Sequence, residues 1–326
     1  MHPRLRPLDS SDASERSPVG SKAVLFGEAM IELSNITDRT ADLGVAGDSF
    51  NTTIYMSRLG ASVAYMTALG DDAFSDRVRA RAEFENINTD LVATLPGQVV
   101  GAYAISLDER GERSFTYWRS ASAARSFFRA TNIGKILDVA KQADLLFLTG
   151  ISLSIFDEKD RTRILGLLAG MRAAGACTAF DGNYRPACWQ SIEIAREVIQ
   201  KAVSLAQISL PTYEDEAELF GDTSPEMTVE RHLDLGAREV VVKCGEHGAL
   251  VSDHGWVRPE RTVTPVDTTG AGDSFNGAYL AARMHGDSPA DAAARGNQLA
   301  ASVLGVKGAI LPEAYDLQMQ KSEAPE

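Results

Sequence analysis

Cysteine is scarce in this chain: Cys177, Cys188 and Cys244 are its three, far apart and with no Cys-x-x-Cys pair. That spacing supports neither a disulfide framework nor a zinc site, and predicts reduced thiols and a cytoplasmic setting. No apolar run is long enough to cross a bilayer. Positive charge is also in short supply, with 32 Lys and Arg against 45 Asp and Glu and a formal net charge of -13. Such a balance argues against nucleic acid or an anionic membrane as the main partner. An acidic chain that binds anions must concentrate its cations locally, so individual arginines and lysines become informative. No Gly-x-x-x-x-Gly-Lys-[Ser/Thr] loop occurs anywhere, which removes the usual phosphate loop of nucleotide hydrolases.

The 326 residues are 44% hydrophobic, enough for one large domain. Residues 1–21 are rich in Ser, Asp, Arg and Pro and lack an apolar stretch. They predict a disordered tail rather than a secretory signal. Residues 316–326 read as a second tail, leaving 22–315 as the domain. Short β-type runs recur at Ala23–Phe26, Val63–Thr67, Leu145–Leu148, Cys177–Phe180, Ile208–Leu210 and Val240–Val242. Helical patterns such as Arg161–Ala174 and Ile192–Leu205 lie between the later ones, so a parallel sheet covered on both faces is expected. The Gln98–Arg119 segment alternates apolar and polar residues around Asp108-Glu109-Arg110-Gly111-Glu112 and predicts an antiparallel hairpin. With the extended, turn-rich stretch Glu32–Gly47 it suggests a small projecting sheet, a lid built from about 30–50 and 97–120.

The most informative stretch is Val266-Asp267-Thr268-Thr269-Gly270-Ala271-Gly272-Asp273-Ser274-Phe275. A β-type segment, Arg261–Val266, is expected to feed it, and an apolar helical pattern follows. Unpaired amides at a helix start carry the positive end of the helix dipole and bind anions. Glycine lets backbone approach a phosphate without a clashing β-carbon. An aspartate at that junction can take a proton from a hydroxyl while the amides hold the group under attack. This is a layout for moving a phosphoryl group onto an alcohol. The competing reading is a tight turn with Asp273 or Ser274 as an ordinary helix cap. Three polar clusters follow predicted strands, where open α/β sheets bind ligands: Asp181–Pro186, Glu214–Glu216 and Lys243–Gly248.

Asp-Thr-Thr-Gly-Ala-Gly-Asp-Ser-Phe resembles the C-terminal signature of the ribokinase/PfkB family of sugar kinases. Ala46-Gly47-Asp48-Ser49-Phe50-Asn51 is similar to that family's substrate-side Gly-Gly-x-x-x-Asn signature, with Ala46 in place of the first glycine. The resemblance spans roughly Lys22 to Pro312. Gly27–Ser34, Tyr117-Trp118-Arg119 and Asp181–Pro186 look most like the members that act on 2-keto-3-deoxygluconate. The resemblance implies a ribokinase-like α/β/α sandwich with a mostly parallel central sheet and a small β-sheet lid. It implies ATP and Mg2+ as cofactors, with dependence on a monovalent cation left open.

It further implies Asp273 as base and the amides of Gly270, Ala271 and Gly272 as anion hole. Asn183, Arg185, Lys243, Gly245, Gly248, Thr268 and Asn297 would line the nucleotide, Asn297 from a small-residue helix (Ala292–Leu304) beside adenine. Glu216 matches the glutamate of an Asn-x-x-Glu motif that organises magnesium through water. Tyr213 stands where the asparagine would be, and magnesium held mainly by triphosphate oxygens and water is expected. Gly47, Asp48 and Asn51 would hold the sugar, with Tyr103 and Tyr117 above it.

Arg119 and Arg185 bear on which sugar. A guanidinium fork matches a carboxylate bidentately, whereas a neutral hexose requires no such fork in a lid. An acid sugar is therefore the expected small-molecule partner, against the alternative that Arg119 merely pairs with Glu112 or Glu109. A fructokinase-like neutral-sugar kinase and a non-catalytic sugar-binding protein remain as other readings. The apolar side chains of the hairpin also suggest a homodimer formed through the lid.

Overall fold

A computed structural model describes residues 23–107 and 113–312. The two expected tails and the turn Asp108–Glu112 lie outside the described residues. In chain order the strands are β1 (Ala23–Phe26), β2 (Met30–Ser34), β3 (Asp42–Ala46), β4 (Val63–Leu69), β5 (Val92–Thr94), β6 (Gly101–Leu107) and β7 (Arg113–Trp118). There follow β8 (Leu145–Thr149), β9 (Cys177–Asp181), β10 (Ile208–Ser209), β11 (Glu239–Lys243), β12 (Ala249–Val251) and β13 (Gly255–Val257).

Nine of them form one sheet in the order β13-β12-β11-β10-β9-β8-β1-β4-β5. Every pairing from β11 to β5 is parallel, and β12 and β13 add an antiparallel edge. The strands are apolar on both faces because helices cover both. In β1, Val24 and Phe26 join one core with Leu146, Leu148 and Phe180, against Ile164 and Ile199 of the helices Glu158–Ala173 and Ile192–Leu205. Ala23 and Leu25 join the opposite core with Phe147, against Phe50, Tyr279 and Ala292. Phe26 and Phe147 are fully buried, and each such ring contributes about 1.5–3 kcal/mol by leaving water. This is the ribokinase-like architecture expected from the sequence, with the polar loops gathered at the carboxyl edge of the strands.

The remaining four strands form a small sheet in the order β3-β2-β6-β7, with β2 and β6 parallel. The hairpin reading of Gln98–Arg119 is realised as β6 and β7, with Tyr103 directly opposite Tyr117. The expected strand Arg261–Val266 does not form; these residues are irregular and mostly exposed. Pro265 has no N–H for a ladder, and the Val266 N–H donates to the Leu304 carbonyl at the end of a helix, at 2.8 Å. The strand nearest before the glycine turn is instead the short β13.

Candidate active site

Two helix starts meet at the carboxyl edge of the large sheet, those of Asp48–Arg58 and Ala271–Met284. Gly277 permits their close approach, since a Cβ there would lie 2.7 Å from Tyr55 Cβ and 3.0 Å from the Thr52 carbonyl oxygen. The contact sets two polar links: Asn51 Nδ2 donates to Asp273 Oδ2 at 2.8 Å, and Thr52 Oγ1 to the Asp273 carbonyl at 3.2 Å. Gly270 precedes the second helix with φ 75°, and a Cβ on it would collide with Ala309 at 2.7 Å. That position therefore requires glycine.

No side chain caps this helix. Asp273 takes the Asn51 amide instead, and Ser274 Oγ donates to the Ala271 carbonyl at 2.8 Å, so the cap reading fails for both. The Ala271 amide reaches Thr268 O only at 3.4 Å, while those of Gly270 and Gly272 donate to no backbone carbonyl among the described residues. The turn thus presents unsatisfied N–H groups beside a carboxyl. Thr268 stands exposed at its rim.

Asp48, at the first position of its helix, accepts from Thr149 Oγ1 at 2.5 Å and from Asn183 Nδ2 at 3.0 Å. Burial raises its carboxyl above the usual range. Burial, and then the charge of Asp48, push the Asp273 carboxyl up to about 7 against the pull of the Asn51 hydrogen bond. Two carboxyls that resist ionising together are what a general base at neutral pH calls for. Gly47 precedes Asp48 where a Cβ would lie 2.3 Å from the Glu28 carbonyl oxygen. Asn183, expected beside the phosphates, gives its side-chain amide to Asp48.

Sequence reasoning named Lys243, and Asp181 within a polar cluster, but not their joining with Asn276 beneath the turn. Asp181 ends β9 and Lys243 ends β11, with β10 between them. Lys243 Nζ donates to Asp181 Oδ2 at 2.6 Å and to Asn276 Oδ1 at 3.1 Å, and Asn276 Nδ2 donates to the same Asp181 oxygen at 2.6 Å. The available signals were the aspartate two residues before Asn183 and an asparagine one helical turn beyond Asp273.

The small sheet brings Tyr103, Tyr117 and Arg119 to the cleft. The Tyr103 hydroxyl donates to Glu32 Oε2, and its ring lies 5.8 Å from that of Tyr117. Arg119 pairs with buried Glu28, which follows β1; Glu112 and Glu109 lie outside the described residues. Its Nε is buried without a hydrogen-bond partner among the described residues. Gly101 leaves room for the pair, because a Cβ there would lie 2.8 Å from Glu28 Oε1.

Arg185 holds both oxygens of Asp215, at 3.0 and 3.1 Å, with about half its side chain exposed. Glu216 is buried, and its Oε2 accepts from Arg231 Nη2 at 2.6 Å and faces His232 Nε2 at 3.3 Å. Among the described residues no three His, Cys, Asp or Glu side chains assemble to hold a metal ion. Gly245 (φ 52°) and Gly248 (φ 90°) shape the turn between β11 and β12. Asn297 anchors its helix to β13 by donating to the Val257 carbonyl at 2.9 Å. It lines a cleft of about 260 Å3 with Pro259, Glu260, Arg261, Gln298, Ala301 and Ser302.

The profile of the pfkB family carbohydrate kinases matches residues 21–314. The chain belongs to that family. It is 39% identical over 302 residues to the 2-dehydro-3-deoxygluconokinase of Dickeya dadantii (strain 3937), covering 88% of this chain and 96% of that protein. The 2-dehydro-3-deoxygluconokinase of Escherichia coli (strain K12) is 38% identical over 306 residues, covering 90% and 98%. Among solved structures, the PfkB protein from Polaromonas sp. JS666 superposes with a TM-score of 0.77 at 28% identity, over 86% of this chain and 95% of that one. Family membership makes this chain a phosphotransferase with an alcohol acceptor. No helix among the described residues is long and apolar enough to cross a membrane.

Proposed function

We propose that the chain transfers the γ-phosphoryl group of ATP to the terminal (6-) hydroxyl of 2-keto-3-deoxygluconate, giving 2-keto-3-deoxy-6-phosphogluconate. The observation that carries this reading is the Asp273 carboxyl, held by Asn51 at a helix start where the Gly270 and Gly272 amides have no backbone partner among the described residues. Asp273 takes the proton of the sugar hydroxyl as the oxygen forms its bond to phosphorus. The bond to the bridging oxygen breaks and its electron pair leaves with ADP. The amides of Gly270, Ala271 and Gly272 stabilise charge on the moving group, whose loose transition state makes positioning the main source of rate.

The sugar lies between Gly47, Asp48, Asn51 and Asn183 on one side and Tyr103, Tyr117 and Arg119 on the other. Its carboxylate meets the Arg119 guanidinium, with Arg185 at the mouth. The relatives at 39% and 38% identity support an acid sugar. The nucleoside occupies the cleft at Asn297, and its phosphates run past Gly248, Gly245 and Thr268 to the turn. Magnesium would supply charge neutralisation to the triphosphate, carried in on its oxygens and water; the described residues hold no cluster of three His, Cys, Asp or Glu side chains.

Coupled ADP release over a panel of acid and neutral sugars tests the reading. 2-Keto-3-deoxygluconate should give the highest kcat/KM. Arg119→Ala should raise KM for acid sugars about 10–100-fold, the worth of a charge-assisted hydrogen bond, while neutral sugars respond little. An equal loss for both classes would remove the carboxylate from the account.

A further inference from the structure

Among the described residues, Lys243 is the cation placed beneath the glycine turn. Its side chain is nine-tenths buried, yet a Cβ built on Gly272 would stand only 3.7 Å from its Nζ. An ammonium has three protons to donate. One goes to Asp181 and one to Asn276, and the third has no acceptor among the described residues. A buried charge with an unused donor is costly unless something completes its shell. Both oxygens of the neighbouring carboxylate are already engaged: Asp181 Oδ2 takes both Lys243 and Asn276, and Oδ1 takes the Asn183 backbone N–H at 3.0 Å. Asp181 therefore fixes the ammonium in place, and the free N–H is left for a ligand at the turn.

We propose that Lys243 meets the transferring phosphoryl group from below, with Asp181 and Asn276 as the positioning residues that hold its ammonium against the anion hole. The assignment rests on the kinase reading given above and adds to it a cation from the protein itself. As the bond to the bridging oxygen breaks, negative charge on the equatorial oxygens is shared between the amides of the turn and this fixed charge. Because Lys243 is already desolvated and held, little reorganisation accompanies the reaction. Asn276, one turn beyond Asp273 on the same helix, couples the placement of the base to that of the cation.

Two variants separate this role from simple neutralisation of Asp181. Lys243→Gln keeps a donor for Asp181 and removes the charge. Asp181→Asn combined with Lys243→Met removes both charges together. Both should melt near the wild type and leave KM for the sugar within a few-fold, while kcat falls about 100-fold, as for loss of one preorganised donor. A kcat for either folded variant within a few-fold of wild type would overturn the proposal, leaving Lys243 a structural counter-ion. Loss of the fold in both variants would overturn it equally. A wild-type protein that releases no ADP with any sugar would instead sink the kinase reading itself, so the two failures are distinct.

Discussion

Asp273 sits half-buried beside Asp48, and its carboxyl holds a proton up to about pH 7. Only the ionised form can act as base, so kcat/KM should fall tenfold per pH unit below about 7 and level off above it. A profile of kcat/KM against pH checks this, and an acid limb near the ordinary value of 3.8 would show that Asp273 is not the titrating base. The same shift acts on stability with a definite sign. The folded state binds this proton more tightly than the unfolded chain, so the group stabilises the fold at low pH and that contribution is lost as pH rises through about 7. Asp273→Asn should therefore cut kcat by about 10²–10⁴ yet raise Tm at pH 8, with a smaller gain at pH 5. Asp273 was legible in the sequence because two glycines and a carboxylate before a helical pattern report a local geometry. Glu28 was not: nothing near it in the chain says that its partner is Arg119, and only the packing of β2 against β6 brings them together.

At the scale of elements, the site depends on how closely two helices approach. Asp48–Arg58 and Ala271–Met284 are remote in sequence, and Gly277 is the residue that lets Asn51 reach Asp273. Gly277→Ala places a methyl group 2.7 Å from Tyr55 Cβ, against two rigid elements with no flexible side chain to yield. Overpacking of this kind costs about 1–3 kcal/mol, and a shift of 1 Å at the reacting groups costs about 100-fold in rate. The variant should lose both Tm and kcat while binding ADP normally, as read by melting, turnover and titration. Unchanged kcat would mean that the helix spacing does not set the Asn51–Asp273 contact. The parallel strands were readable as apolar runs because both of their faces are buried. Arg261–Val266 misled because β-type composition says nothing about whether a ladder partner exists, and Pro265 with the Leu304 carbonyl removes one.

Seen whole, the molecule divides the task between two sheets. The glycine turn and Asp273 lie at the carboxyl edge of the large sheet, while the small sheet carries Tyr103 and Tyr117 and leads into Arg119. A sugar that touches both ties them together, whereas a nucleotide alone touches only the large sheet and its helices. Ligand at 100 times its Kd stabilises the bound state by about 2.7 kcal/mol, and each kcal/mol raises Tm by about 2–4 °C in a domain of this size. Acid sugar should therefore raise Tm by several degrees and slow amide exchange in β2, β6 and β7. ADP should slow exchange around Gly270–Asp273 and at the Asn297 helix, leaving the small sheet unchanged. Arg119→Ala should abolish the sugar's protection of β6 and β7 but not the effect of ADP. If ADP alone protected the small sheet as strongly as sugar does, the division of binding between the sheets would be wrong, and Arg119 would be answering the nucleotide rather than the carboxylate of the acceptor.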